Sequence, residues 1–278
     1  MNVIGQKRLI STIEKYADEN NFPRFLILLG DKGSGRKTLS KFISKKLNAF
    51  YVPCELGVDS VREVIENCYK CSGATLYCFP DADTMSISAK NSLLKITEEP
   101  PRSAYFVLTL QNINNVPETI KSRAAVLTIQ PYQDNEIVRY MALRSIENPL
   151  IAKLSTTPGD VEAFLKIDVE EFHNFVVKVL DNIGDISGVN ALKIPQSLSF
   201  KEGDNGYDPA LFVNSVYMAL RDMIINWEED EPPELLMRYG AALTETSRCC
   251  QELRTVALKK DSTIDMWILR LRMIMRGD

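Results

Sequence analysis

Gly30, Gly33 and Gly35, followed directly by Arg36-Lys37-Thr38, have the spacing of a loop that closes backbone N–H groups around a phosphate at a helix N-terminus. A working loop of this kind ends Gly-Lys-Thr/Ser: the Lys reaches the β and γ phosphates and the hydroxyl holds Mg²⁺. Counted from Gly30, Arg36 stands where the Lys belongs and Lys37 where the hydroxyl belongs. A register slipped by one residue would instead put Lys37 and Thr38 in the working roles. The same chemistry needs carboxylates at the end of a neighbouring strand, one to orient Mg²⁺ and often a second to activate water. The apolar run Leu76-Tyr77-Cys78-Phe79 leads into Pro80-Asp81-Ala82-Asp83, with a proline at the metal position and Asp81 at the water-activating position. No slip of the glycine loop restores the missing metal ligand. The expectation is a degenerate cradle made of Gly30, Gly33, Gly35, Arg36, Lys37, Thr38 and Asp81, with no bound metal and no required cofactor. Weak capture of ATP without hydrolysis is left open.

The elements that must hold these residues are legible from hydrophobic period. Residues 6–20 read as a helix through Leu9, Ile10, Ile13 and Tyr16. Phe25 to Leu29 is a strand, and Leu39, Phe42, Ile43 and Leu47 share one face of the helix after the loop. Ala49 to Val52 is a second strand. Ser60 to Glu63 has the form of a capping box, opening a helix with Val61, Val64, Ile65 and Cys68 on one face. Ala74 to Phe79 is a third strand, and Ser86 or Ser88 caps a helix running to Glu98 before Pro100-Pro101. Ala104 to Leu110, a short helix Pro117 to Lys121 and a strand Ala125 to Ile129 complete the alternation. Strands alternating with helices predict a mainly parallel five-stranded sheet covered on both faces.

The second half reads as helical. Asp134 to Ile146, Pro149 to Leu154 and Gly159 to Leu165 form three short helices. Phe172, Phe175, Val176, Val179 and Leu180 then make one stripe. Pro195 leaves 185–200 ambiguous, and 201–208 reads as a polar loop. Helices are expected over 207–227, 234–259 and 263–275, with an acidic break at 228–233. No catalytic constellation is found there, and the lone histidine, His173, is assigned no role.

With 278 residues and 45% apolar content the chain can build two or three modest domains. A formal charge of −4 argues against gripping nucleic acid unaided. No run of about 18 apolar residues and no signal-peptide core are found, so a soluble, cytoplasmic chain without a membrane partner is expected. Its six cysteines are expected as reduced thiols. Cys68 and Cys71 are closely spaced but fall on a predicted helix, whereas knuckle ligands sit on turns, so zinc is not expected. Lys37, Lys41 and Lys45 form a cationic face read first as solvated, with phosphate or DNA contact as the alternative.

Asp81-Ala82-Asp83-Thr84-Met85 and Ala89-Lys90-Asn91-Ser92-Leu93-Leu94-Lys95-Ile96-Thr97-Glu98-Glu99-Pro100-Pro101 resemble the clamp-loader AAA+ subunits of bacterial DNA polymerase III, delta-prime type. Ile4-Gly5-Gln6 and Ile120-Lys121-Ser122-Arg123 add to the resemblance, which is firm over 1–131 and rests on helical pattern beyond about 166. It implies an α/β AAA+ P-loop domain (1–131), a small helical lid (132–166) and an all-α C-terminal collar (167–278). It further implies a noncatalytic, stator-like subunit of the polymerase holoenzyme, without ATPase activity of its own, in a five-subunit ring that loads a sliding clamp on primed DNA. The implied partners are gamma/tau and delta type subunits, the clamp indirectly, and primer–template DNA within the assembly. Arg123 matches the arginine finger that reaches a neighbour's ATP, with Ala124 where the family usually has Cys. Gln111 matches the sensor position, and Gly159 stands where active subunits carry a sensing Arg. An active gamma/tau-like ATPase is the alternative.

Overall fold

A computed structural model of the chain describes residues 3–197, 208–227, 232–254 and 260–277. Five strands, β1 (Phe25–Leu29), β2 (Phe50–Pro53), β3 (Thr75–Phe79), β4 (Ala104–Leu110) and β5 (Ala125–Thr128), form one sheet in the order β2-β3-β4-β1-β5. Every pairing is parallel. The helices of this half are α1 (Lys7–Asp18), α2 (Arg36–Lys46), α3 (Val58–Cys68), α4 (Ile87–Ser92), α5 (Leu94–Glu98) and α6 (Glu118–Lys121). Side chains alternate across each strand, so one face of β1 presents Phe25 and Ile27 and the other Leu26 and Leu28. The first face packs with Phe79, Phe106, Val61 and Ile96, the second with Leu9, Ile13, Leu39 and Ile43. Both faces are therefore dry, as a parallel sheet built from crossover helices requires. This is the mainly parallel five-stranded α/β sheet that the alternation of elements predicts.

Several local expectations shift. The helix expected to open on a capping box at Ser60 begins earlier, as α3 at Val58 with Gly57 as N-cap, and Ser60 bonds Glu55 instead. Ser86, not Ser88, caps α4, accepting from the Ala89 N–H. The single helix expected to run on to Glu98 breaks at Leu93 into α4 and α5. Cys68 ends α3 and is buried, whereas Cys71 lies beyond it, exposed, with Sγ 3.3 Å from the Tyr77 hydroxyl.

The remainder is helical: α7 (Asp134–Leu143), α8 (Pro149–Leu154), α9 (Pro158–Phe164), α10 (Val169–Asn182), α11 (Gly188–Ser197), α12 (Pro209–Ile225), α13 (Pro233–Glu252) and α14 (Lys260–Arg276). Pro195 is accommodated inside α11. The polar loop expected at 201–208 lies outside the described residues apart from Asp208, the N-cap of α12, and so does most of the acidic break. By contact density the chain divides into Met1–Tyr140 with Thr157–Gly159, and Met141–Thr156 with Asp160–Asp278. The second unit centres on Phe172, Phe212 and Trp267, whose indole N–H donates to Thr246 Oγ1 at 3.2 Å. No described helix is long and apolar enough to cross a membrane.

Candidate functional site

The glycine loop leaves the carboxyl end of β1 in the interior of the sheet, the edge where open α/β sheets place their ligands. Gly33 and Gly35 take φ of +82° and +87°, a conformation strained for any residue with a Cβ. Gly35 is the N-cap of α2 and Arg36 its first helical residue. The first turn of α2 carries no acid, so the helix dipole meets no carboxylate of its own there.

Arg36 turns inward and is 7% exposed. Its Nη2 donates to Asp81 Oδ1 at 2.6 Å, and Nη1 lies 3.8 Å from Asp83 Oδ2. The pair spans β4, which separates β1 from β3, and Thr109 on β4 ties Asp81 down by accepting its N–H at 2.9 Å. Lys37 faces solvent and Thr38 is half-buried. Of the residues named from the sequence, Gly33 and Gly35 shape the turn, Gly35 and Arg36 open α2, Asp81 is joined to Arg36, and Lys37 is exposed.

Asp83 is the acid that sequence reasoning passed over. It is 3% exposed and accepts from the Gln111 N–H at 2.7 Å, the Asn112 N–H at 3.1 Å and Asn115 Nδ2 at 2.8 Å. Its backbone carbonyl accepts from the buried Lys90 Nζ at 3.2 Å, and burial holds that amine below its ordinary pKa. Asp83 therefore locks the end of β3 to the segment after β4, and Gln111 contributes its backbone N–H to that lock.

These residues do not fit a Mg²⁺ ion. Pro80 offers no ligand, Asp81 is committed to Arg36, and Asp83 is saturated by backbone and amide donors. Among the described residues no group of three or more His, Cys, Asp or Glu could hold a metal. Burial pushes the Cys54 thiol up to about 12 and the Cys68 thiol up to about 11.

Arg123 follows α6, two residues before β5, and is 40% exposed on its side chain. Its Nη2 pairs with Glu98 at 3.0 Å and its Nη1 donates to Thr119 O at 2.8 Å. Because β5 runs parallel to β1, Arg123 stands at the amino edge of the sheet and the glycine loop at the carboxyl edge. Four paired residues of strand separate the two, roughly 13 Å at 3.3 Å per residue. Gln6 sits elsewhere: its side-chain amide donates to Gln130 O at 2.7 Å and accepts from Gln130 N at 2.9 Å, extending the backbone pattern beyond β5.

Residues 54–133, which hold β3, Asp81, Asp83 and Arg123, match the family profile described as DNA polymerase III, delta subunit. The matched segment is less than a third of the chain. Curated relatives are named as subunits of DNA polymerase III and of replication factor C. DNA polymerase III subunit tau of Bacillus subtilis is 22% identical over 81% of this chain and 49% of its own length. Replication factor C subunit 3 of Schizosaccharomyces pombe is 27% identical over 49% of this chain and 44% of its own. The chain thus spans about half the length of the curated relatives it matches. Among solved structures, a Thermotoga maritima RuvB mutant aligns over 99% of this chain and 89% of its own, with 12% identity and a TM-score of 0.50, a likeness of fold.

Proposed function

We propose that this chain is a noncatalytic, stator-like subunit of a DNA polymerase III-type clamp loader, of the delta-prime kind, that offers Arg123 to ATP bound on a neighbouring chain. The observation that carries the reading is the Arg36–Asp81 pair at 2.6 Å, which ties the group at the phosphate-contacting position to the group at the water-activating position. Pro80 supplies no metal ligand beside them. The placement of Arg123 supports its role in trans: it stands at the amino edge of the sheet, the edge opposite its own loop. A fixed guanidinium on a transferring phosphoryl group is worth roughly 10³–10⁵ in rate in well-studied cases. In this reading 1–131 is the AAA+ module, 132–166 the lid and 167–278 the collar. The partners are gamma/tau and delta type subunits, the sliding clamp and primer–template DNA in the assembled loader.

A second reading, an active gamma/tau-like ATPase, is favoured by the names of the relatives, tau and gamma subunits among them. It needs the slipped register, and against that Arg36 rather than Lys37 occupies the inward position at the start of α2. The deciding experiment measures ATP binding and phosphate release by the purified chain with and without Mg²⁺. No metal-dependent turnover is expected; turnover abolished by Lys37→Ala would reverse the ranking. In a reconstituted loader, Arg123→Ala should lower ATP hydrolysis while leaving assembly intact, and unchanged hydrolysis would remove Arg123 from the trans role.

A further inference from the structure

Thr157–Gly159 belongs by its contacts to the first unit, although the residues on both sides of it belong to the second. It reaches the glycine loop at a backbone hydrogen bond, the Gly159 N–H donating to Gly33 O at 3.0 Å. No side chain fits at either residue. A Cβ on Gly159 would lie 2.3 Å from Gly33 Cα, and one on Gly33 would lie 2.6 Å from Thr157 Oγ1 and 2.9 Å from Gly159 Cα. Only glycine lets two backbones come this near. The next residue of the loop is held as well: Ser34 O accepts from the Tyr132 hydroxyl at 2.9 Å, and burial pushes that phenol up to about 12. Arg36 is then held by Asp81. Three positions within four residues are thus fastened by the chain itself, from Gly159, Tyr132 and Asp81.

In an ordinary phosphate-binding loop the ligand organises the backbone, because the N–H groups converge on its charge. We propose that Gly159 and Tyr132 act as an internal brace that takes over this task, so that the loop keeps one conformation whether or not nucleotide is present. The brace rests on the noncatalytic reading and adds to it a reason why this unit would stay fixed while nucleotide-binding neighbours change. It also accounts for the glycine at 159: an arginine there would drive its Cβ into the Gly33 backbone. Two buried polar atoms of the loop, Ser34 Oγ and Arg36 Nη1, have no hydrogen-bond partner, so the test includes nucleotide as a competitor for the brace.

The test is hydrogen–deuterium exchange on the full chain, read on peptides spanning 31–38, with and without added Mg²⁺ and ATP. Slow exchange, the same in both conditions, is expected of the parent protein. Tyr132→Phe removes one hydrogen bond and should speed exchange of the loop about fivefold, with β1 and β4 unchanged. Gly159→Ala should speed it more, by about tenfold or beyond, since the approach itself is lost. Should Gly159→Ala fail to fold, Tyr132→Phe decides alone. Loop exchange that is fast in the apo protein and slowed by ATP overturns the brace, as does a folded Tyr132→Phe with unaltered loop exchange. Hydrolysis of ATP by a chain whose loop is slow and indifferent to ATP would instead defeat the noncatalytic reading and leave the brace standing.

Discussion

Replacing the Asp83 carboxylate by an amide keeps the side chain's shape and removes one acceptor and one charge, so its cost can be worked from the geometry. Oδ1 accepts from Asn112 N and Asn115 Nδ2, and Oδ2 from Gln111 N at 2.7 Å. An Asn that keeps its oxygen on the first pair points its NH₂ at the Gln111 N–H, two donors face to face. One charge-assisted bond is lost, about 1.5–3 kcal/mol, and a buried N–H is left unsatisfied, about 1–3 kcal/mol. The buried Arg36 guanidinium also loses a counter-charge 3.8 Å away. Asp83→Asn should therefore cost about 3–5 kcal/mol. Asp81→Asn is the control: it too takes a counter-charge from Arg36, but its side chain is 60% exposed, its amide oxygen can still accept from Arg36 and no buried N–H is orphaned, so the cost should stay at about 1–2 kcal/mol. Urea unfolding followed by far-UV circular dichroism reads the difference. Both tryptophans, Trp227 and Trp267, lie in the second unit, so fluorescence provides a separate probe of that unit. With an m-value of about 2 kcal/mol/M, the Asp83→Asn midpoint should fall by about 1.5–2.5 M. Equal shifts for the two variants would refute the assignment of Asp83 as the fastening acid.

His173 supplies a pH prediction. Its Nδ1 is buried without a partner, and burial first, then Lys153, hold the imidazole below its ordinary pKa against the opposing pull of Asp222. The unfolded chain then binds the proton first as pH falls, so this contribution is intact above the ordinary histidine range and is lost as pH drops through the lowered value. The drop in Tm between about pH 7.5 and about pH 5 should be smaller in His173→Gln than in the parent, and equal drops would count against it. Glu98→Gln removes the exposed partner of Arg123 and should cost less than about 1 kcal/mol by urea unfolding, since such surface pairs contribute little. A larger loss would mean that Glu98 supports the fold and not only the guanidinium.

Hydrophobic period and turn chemistry were enough to find the five strands: β1, β3 and β4 are buried on both faces and leave apolar runs, while the edge strands β2 and β5 are short and partly exposed. The glycine loop was equally legible, since Gly33 and Gly35 adopt the positive φ that only glycine takes without strain. Local capping was less so. Ser60 followed by Glu63 looks like a capping box, yet the Ser60 hydroxyl is used by Glu55 and the helix has already begun. The signal is short, and a carboxylate five residues upstream competes for the same hydroxyl.

The chain's own letters determined which side chains are on offer: the Pro80 ring carries no donor atom for a metal, and Arg36 brings a guanidinium rather than an amine, wherever the backbone goes. Only the tertiary structure decided what the remaining groups do instead. Arg36 and Asp81 are 45 positions apart, and Asp83 and Asn115 are 32 apart. No local pattern links such residues. They meet because β4 inserts between β3 and β1 and brings the ends of those strands to one edge. The contact of Gly159 with Gly33 is of the same kind, made by a segment whose sequence neighbours pack elsewhere. Spacing along a chain encodes periodicity and turn type, while partnership between distant charges is set by strand order, which emerges only when the whole sheet is assembled.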